Sequence, residues 1–279
     1  MNRKPIYDYY ATLESRWGYI LLLKGNRHFG YYPRSNSQIS FSQAQKYMEK
    51  KLAEKLDLPT NSYVLDAGCG EGNTAIFLAK HNAYKILGVD LLPISIKRAE
   101  EKAREADLDK ATQFRIGDYS KLNYTTMFDG IYTMETLVHV DDYQNALSVF
   151  YKALKPGGRL TLFEYSLTDM NTMKENQKKL WNNIVEGTGM YGLPQFIHGQ
   201  FPRMLKKAGF MNISTEEITE RVMPMLKRFY QISFLPYKLI EFLKLEKKFI
   251  NMMFAVRAYE DIVQNQTWKY MIITANKPK

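Results

Sequence analysis

Cysteine is almost missing from this chain: Cys69 is the single one in 279 residues. That excludes a disulfide framework and fits a reducing compartment. Histidine is also scarce. The four, His28, His81, His139 and His198, show no metal-ligand spacing with each other or with Cys69, so no metal site is expected. No apolar run reaches the ~18 residues of a membrane span. The opening MNRKPIYDYY lacks the apolar stretch of a signal peptide. Internal repeats and low-complexity tracts are absent as well. Together these absences point to a cytoplasmic protein.

What is present is enough for a sizeable core, at 45% hydrophobic residues. The formal net charge of +10 favours anionic partners, whether nucleic acid, a phospholipid surface or an acidic substrate, without choosing among them.

The chain is organised around SYVLDAGCGEGNTAIFLAK, residues 62–80. Tyr63-Val64-Leu65 reads as a short buried strand that ends at Asp66. A glycine turn follows, with Gly68, Cys69, Gly70, Glu71 and Gly72, and then a helix opened by Asn73 and Thr74. Strand, glycine turn and helix open a nucleotide-binding βαβ unit, and the glycines let backbone approach a ligand closely. A second apolar run, Tyr84 to Val89, ends in Asp90, which is 24 positions beyond Asp66. That is close to the ~20 expected of a carboxylate that binds a ribose diol. The order D-x-G-x-G-x-G, with an acid before the turn and Glu71 inside it, suits a cationic or ammonium-bearing ligand better than a diphosphate. Cys69 reads as a small buried filler more readily than as a reactive thiol.

The segments VLDAGCGEGNTAIFLA, GVDLLPISIKRAEEKA, FRIGDYSKL, FDGIYTMETLVHV and ALKPGGRLTLFEY resemble, in order, the motifs of class I S-adenosylmethionine-dependent methyltransferases. The resemblance covers roughly residues 60–166. It implies S-adenosyl-L-methionine as cofactor. Asp66, Gly68, Cys69 and Gly70 would lie at its methionine end, and Asp90 with Leu91 at its ribose. Gly117, Asp118 and Tyr119 would lie at its adenine, with Met134 alongside.

After the strand Phe128–Met134, Glu135 and His139 stand four apart. On a helix they would share one face at the carboxyl edge of the sheet, able to orient a substrate and accept a proton. The structural alternative has His139 packing below the cofactor and Asp141 capping a helix. The pattern Y-x-x-E-x-x-x-H resembles the equivalent stretch of sterol 24-C-methyltransferases, although Thr136-Leu137-Val138 are bulkier than is usual there. The aromatic stretch His28-Phe29-Gly30-Tyr31-Tyr32-Pro33 is similar to one that precedes the core in sterol- and tocopherol-type enzymes. It reads as a lid, with Tyr31 and Tyr32 as candidates to contact a sulfonium cation through their ring faces.

The expected fold is α/β: a doubly wound, Rossmann-like, seven-stranded and mostly parallel sheet with helical cap insertions. Residues 1–58 form an N-terminal helical arm and lid, with an amphipathic segment over 17–23 and a helix over 41–57. Residues 59–218 form the cofactor-binding core, with a cap insertion at 166–200. Residues 219–262 form an apolar helical lid, and 263–279 the closing strand. In the lid, methionines and aromatics alternate with lysines, which suits an adaptable apolar pocket that can also touch a membrane surface. Lys155-Pro156-Gly157-Gly158 reads as a turn before a strand over 159–165.

The expected function is methyl transfer from S-adenosylmethionine to a small, largely apolar, lipid-, terpenoid- or sterol-like acceptor, with Glu135 and His139 as catalytic residues. One alternative is an RNA or other nucleic-acid methyltransferase. The positive charge favours it, but no N-P-P-Y-like tetrad or RNA-binding module does, so nucleic acid is not the expected partner. The other is a non-catalytic cofactor-binding subunit.

Overall fold

Seven strands build one sheet in the order β3-β2-β1-β4-β5-β7-β6. They are β1 (Tyr63–Ala67), β2 (Lys85–Asp90), β3 (Thr112–Ile116), β4 (Phe128–Met134), β5 (Leu154–Leu167), β6 (Met211–Glu217) and β7 (Trp268–Asn276). The computed structural model describes residues 7, 9, 23, 25–34 and 37–279. The amphipathic segment expected over 17–23 lies, but for Leu23, outside the described residues.

Strands β1 to β5 run parallel. Strand β7 is antiparallel to both β5 and β6, in register from Arg159↔Asn276 to Leu167↔Trp268. This is the expected doubly wound sheet with its reversed strand. The chain winds outward from β1 to β3 and then returns to β4 on the other side of β1. The carboxyl ends of β1 and β4 therefore flank the switch point, where open α/β sheets leave a crevice.

The helices follow from local signals. Helix α1 (Phe41–Leu56) starts at Ser40, whose side chain and that of Gln43 form a reciprocal capping box. Its buried face is Ala44, Met48, Leu52 and Leu56. Helices α2 (Asn73–Asn82), α3 (Pro93–Glu105) and α4 (Tyr143–Ala153) follow β1, β2 and β4. Asp142, rather than the expected Asp141, caps α4, because its carboxylate is the one that reaches Asn145 N at 2.9 Å. The expected turn over 155–158 is instead an irregular opening of β5. The β4–β5 register shifts between Phe128 and Gly130, which absorbs it.

Residues 166–200 and 219–262 pack over the carboxyl edge. They hold α5 (Glu175–Thr188), α6 (Phe201–Lys207), which follows the first of them, α7 (Thr219–Phe242), α8 (Ile250–Met253), a π-helical turn (Phe254–Ala258) and α9 (Tyr259–Asn265). Asp261 ties the two regions together. It accepts from Trp181 Nε1 at 2.9 Å, Gln177 Nε2 at 2.8 Å and Thr267 Oγ1 at 2.6 Å. Burial alone would raise this carboxyl, but these hydrogen bonds outweigh it and hold the pKa below the ordinary value. The inner face of 219–262 merges with the core of the sheet through Val222, Leu226, Tyr237, Met253 and Val256. Each such side chain is worth roughly 1.5–3 kcal/mol of burial. That makes the segment part of the folded body as well as a cover.

Residues 25–34 form an extended strap between α1 and α7. Tyr31 N donates to Ala44 O at 2.9 Å, and Tyr32 N to Arg221 O at 2.9 Å. No helix among the described residues is long and apolar enough to cross a membrane.

Candidate active site

The glycine turn folds back on β2. Gly68 N and Cys69 N both donate to Val89 O, at 2.8 and 3.1 Å. Gly68 has φ +97, and a Cβ there would meet Thr136 at 2.5 Å, so the turn closes only with glycine. Gly70 has φ +51, and a Cβ there would meet nothing within 4 Å. Its open side faces a cavity.

Asp90 joins the two loops that flank this cavity. One carboxylate oxygen accepts Gly70 N at 3.0 Å and the other accepts Leu92 N at 2.9 Å. Burial raises its pKa against the pull of these bonds. Asp66 is buried at the carboxyl end of β1. Burial lifts its pKa to about 7, although the Tyr132 hydroxyl pulls it down. A buried carboxyl at that threshold is ready for a cationic ligand, which would restore its charge. Asp118 and Tyr119 close the far side. Asp118 accepts Ser120 N at 3.0 Å, and Tyr119 donates to Thr136 O at 2.9 Å.

The cavity is lined by Asp66, Gly68, Cys69, Gly70, Asp90, Leu91, Asp118, Tyr119, Met134, Glu135 and His139. Of the residues expected at the cofactor, Gly117 alone does not line it. Several wall residues escaped the sequence reading. Gly25, Asn26 and Arg27 contribute, as do Tyr132 and Thr136, and His28 lines it from the stretch read as a lid. Glu71 also lines the cavity, and its carboxylate is held by Arg98 at 2.7 Å, Lys102 at 2.8 Å and Arg27 at 3.6 Å. Burial would raise its pKa, but these cations hold it below the ordinary value. Glu71 thus pins the strap to α3 through Arg27.

Residues 135–139 do not form the helix on which Glu135 and His139 would share a face. Leu137–His139 is a single 3-10 turn, and Glu135 sits at φ +61. The cause is Glu164 on β5, whose Oε1 accepts Thr136 N at 3.1 Å and Leu137 N at 2.9 Å. This holds the chain in a tight bend. Burial lifts the Glu164 pKa to about 7, against those bonds. Glu135 and His139 nevertheless reach the same cavity.

Glu135 is buried and fully engaged. It accepts Phe29 N at 2.6 Å, Tyr270 Oη at 2.9 Å and the Tyr165 hydroxyl. Burial raises its pKa, and the hydrogen bonds oppose that rise. His139 Nδ1 lies 3.1 Å from Gly189 O, and burial lowers its pKa to about 4, so the ring is neutral at pH 7 and donates there. Around Glu135 the rings of Tyr165, Trp268 and Tyr270 enclose Phe29, at centroid distances of 6.0, 6.0 and 6.3 Å. Phe229 and Phe254 complete this aromatic box, each 6.4 Å from Phe29.

Tyr31 and Tyr32, expected over a sulfonium, do not line the cavity. Tyr32 is fully buried with Ala44 and Met225, and its ring lies 5.7 Å from the Arg228 guanidinium. The Tyr31 ring takes Lys51 at 5.8 Å. Both tie the strap down, and the ring of their neighbour Phe29 enters the aromatic box rather than the cavity. Among the described residues no group of three or more His, Cys, Asp and Glu side chains could hold a metal ion.

Residues 64–158 match the profile of a methyltransferase domain. The chain is 34% identical to an S-adenosyl-L-methionine-dependent Diels-Alderase, iccD, of Talaromyces variabilis, across 99% of this chain and 96% of the relative. It belongs to the class I S-adenosylmethionine-dependent methyltransferase family. It is also 30% identical to a sterol 24-C-methyltransferase of Debaryomyces hansenii, across 74% of this chain and 51% of that longer protein. A cyclopropane synthase of Mycobacterium tuberculosis has the same fold, with a TM-score of 0.83 at 15% identity over 99% of both chains. The family cofactor is S-adenosyl-L-methionine, and the residues fit it. The open side of Gly70, the backbone donors that Asp90 holds and the buried carboxyl of Asp66 suit a cation-bearing nucleoside.

Proposed function

We propose that this protein transfers a methyl group from S-adenosylmethionine to a small, largely apolar acceptor of lipid, terpenoid or sterol type. The observation that carries this reading is the aromatic box around Glu135, which adjoins the glycine-turn cavity. Bound S-adenosylmethionine supplies an electrophilic methyl on a sulfonium. Asp66, Gly68 and Gly70 would hold its amino-acid end and Asp90 its ribose. The chain then has to align the acceptor and exclude water. The rings of Tyr165, Trp268 and Tyr270 suit both tasks.

Glu135 places a negative charge beside the reacting centre. It stabilises positive charge that develops on a carbon acceptor, or it takes the proton of a hydroxyl or amine. Its raised pKa makes it a stronger base than a free carboxylate. His139, neutral and anchored at Gly189, orients the acceptor. The strap must lift Phe29 out of the box before an acceptor can enter, and its return closes the site.

A second reading keeps the cofactor but not the transfer: cyclisation of a polyene on the same surface. The relative iccD, which is matched over nearly the whole chain, favours it.

The test uses methyl-labelled S-adenosylmethionine with four acceptors: a sterol with a side-chain alkene, geranyl diphosphate, a hydroxylated macrolactone and, as a polar control, phosphoethanolamine. Label in an apolar product supports the proposal. Label in phosphoethanolamine alone would overturn the apolar reading. An isomer of unchanged mass from a polyene, formed only with cofactor present, would favour cyclisation.

A further inference from the structure

Helix α7 has two apolar faces. The inner one, with Val222, Met225, Leu226, Tyr237 and Ile240, is buried. The outer one repeats at helical spacing through Ile232, Leu235, Leu239, Phe242 and Leu243. It is exposed: Leu235 by 76%, Leu239 by 61% and Phe242 by 81%. Single exposed leucines are ordinary, but a continuous stripe of this size marks a contact surface.

We propose that this outer face of α7 docks on an anionic lipid surface. The charge around it is of the right sign. Glu241, the one acid within residues 231–243, is neutralised by Lys238 at 2.8 Å and Arg257 at 3.0 Å. Lys244 and Lys248 follow the stripe and are exposed, and the whole chain carries +10. Lysines beside an apolar helix face lie at the headgroup level while the side chains below them enter the acyl boundary.

Shape favours lipid over a second copy of the chain. The stripe is one row of five side chains, ~17 Å long on a single helix. A stable protein interface needs about 800 Å² per partner. A bilayer covers each side chain independently and needs no matching surface. The same helix sends Phe229 to within 6.4 Å of Phe29 in the aromatic box. Docking through α7 would therefore bring the box to the phase in which apolar acceptors dissolve. The inference holds whichever reaction the box supports.

The test is flotation of the full chain with phosphatidylcholine vesicles, with and without phosphatidylglycerol. The wild type should float with the anionic vesicles. Leu235→Glu/Phe242→Glu should reduce the bound fraction at least about tenfold, because it places two charges at the acyl boundary. Melting temperature and S-adenosylhomocysteine affinity should not change, since both side chains lie outside the core. Lys244→Glu/Lys248→Glu should weaken binding at least about fivefold per lysine, and only to the anionic vesicles. A wild type that stays unbound with both vesicle types would overturn the proposal, as would a double variant that floats equally well. A wild-type dimer that the Leu235→Glu/Phe242→Glu variant loses, without flotation, would assign the face to self-association instead.

Discussion

The backbone N–H of Phe29 donates to the carboxylate of Glu135 at 2.6 Å. One hydrogen bond thus joins the N-terminal strap to the loop after β4. Tyr165 and Tyr270 donate to the same group. Removal of its charge should loosen all three contacts. Glu135→Gln should cost about 1–3 kcal/mol in stability, as expected for hydrogen bonds to a buried charge. Hydrogen exchange over residues 28–32 should rise with it. Unchanged exchange there would mean that the other contacts of the strap, through Arg27, Tyr31 and Tyr32, hold it without Glu135.

The two glycines of the turn should fail differently. Gly68→Ala places a Cβ 2.5 Å from Thr136 and should destabilise the free protein by more than about 2 kcal/mol. Gly70→Ala meets nothing within 4 Å and should cost the free protein about 1 kcal/mol for its positive φ. It should nevertheless weaken S-adenosylhomocysteine binding at least about tenfold, because the methyl intrudes where the backbone approaches the ligand. Calorimetry with thermal melts separates the two effects. Equal affinity for wild type and Gly70→Ala would move the ligand off this side of the turn.

Asp90 should serve the ligand through its charge. Asp90→Asn keeps acceptor capacity for Gly70 N or Leu92 N but loses the second acceptor oxygen. Affinity for S-adenosylhomocysteine should fall by about 1–3 kcal/mol by titration calorimetry. Adenine, which lacks the ribose, should bind both forms alike. A parallel loss for adenine would show that the substitution deforms the loops instead.

Asp66 and Glu164 should make the free protein more stable in mild acid than in mild base. Burial raises both pKa values to about 7 in the folded state, above the ordinary carboxyl range near 4. Folding therefore takes up protons. Their contribution to stability is full below about pH 4 and is lost as pH rises toward and through about 7. Glu164→Gln copies the protonated acid and can still accept Thr136 N and Leu137 N. Urea unfolding at pH 5.5, 7 and 8.5, settings that bracket the transition near 7, should show a shallower fall for the variant than for the wild type. An equal or steeper fall would refute the assignment for Glu164.

The sequence by itself determined the sheet, the glycine turn and the acids at the ends of β1 and β2. These are written in short-range terms: strand periodicity, φ > 0 at glycine, and a carboxylate one strand further on. They place Asp66, Gly70 and Asp90 together whatever surrounds them. Tertiary structure alone decided what Glu135 does. Its partners lie 106 and 135 residues away, at Phe29 and Tyr270. The chain after it is a bend set by Glu164, which comes from a neighbouring strand, and not a helix. Tyr31 and Tyr32 carry the same aromatic signal as Phe29. Only the packing of the strap between α1 and α7 decides which ring enters the box and which two hold it in place. Local pattern fixes backbone conformation through sterics over a few residues. Long-range contacts depend on which faces meet once the core has formed, and no short window of sequence encodes that.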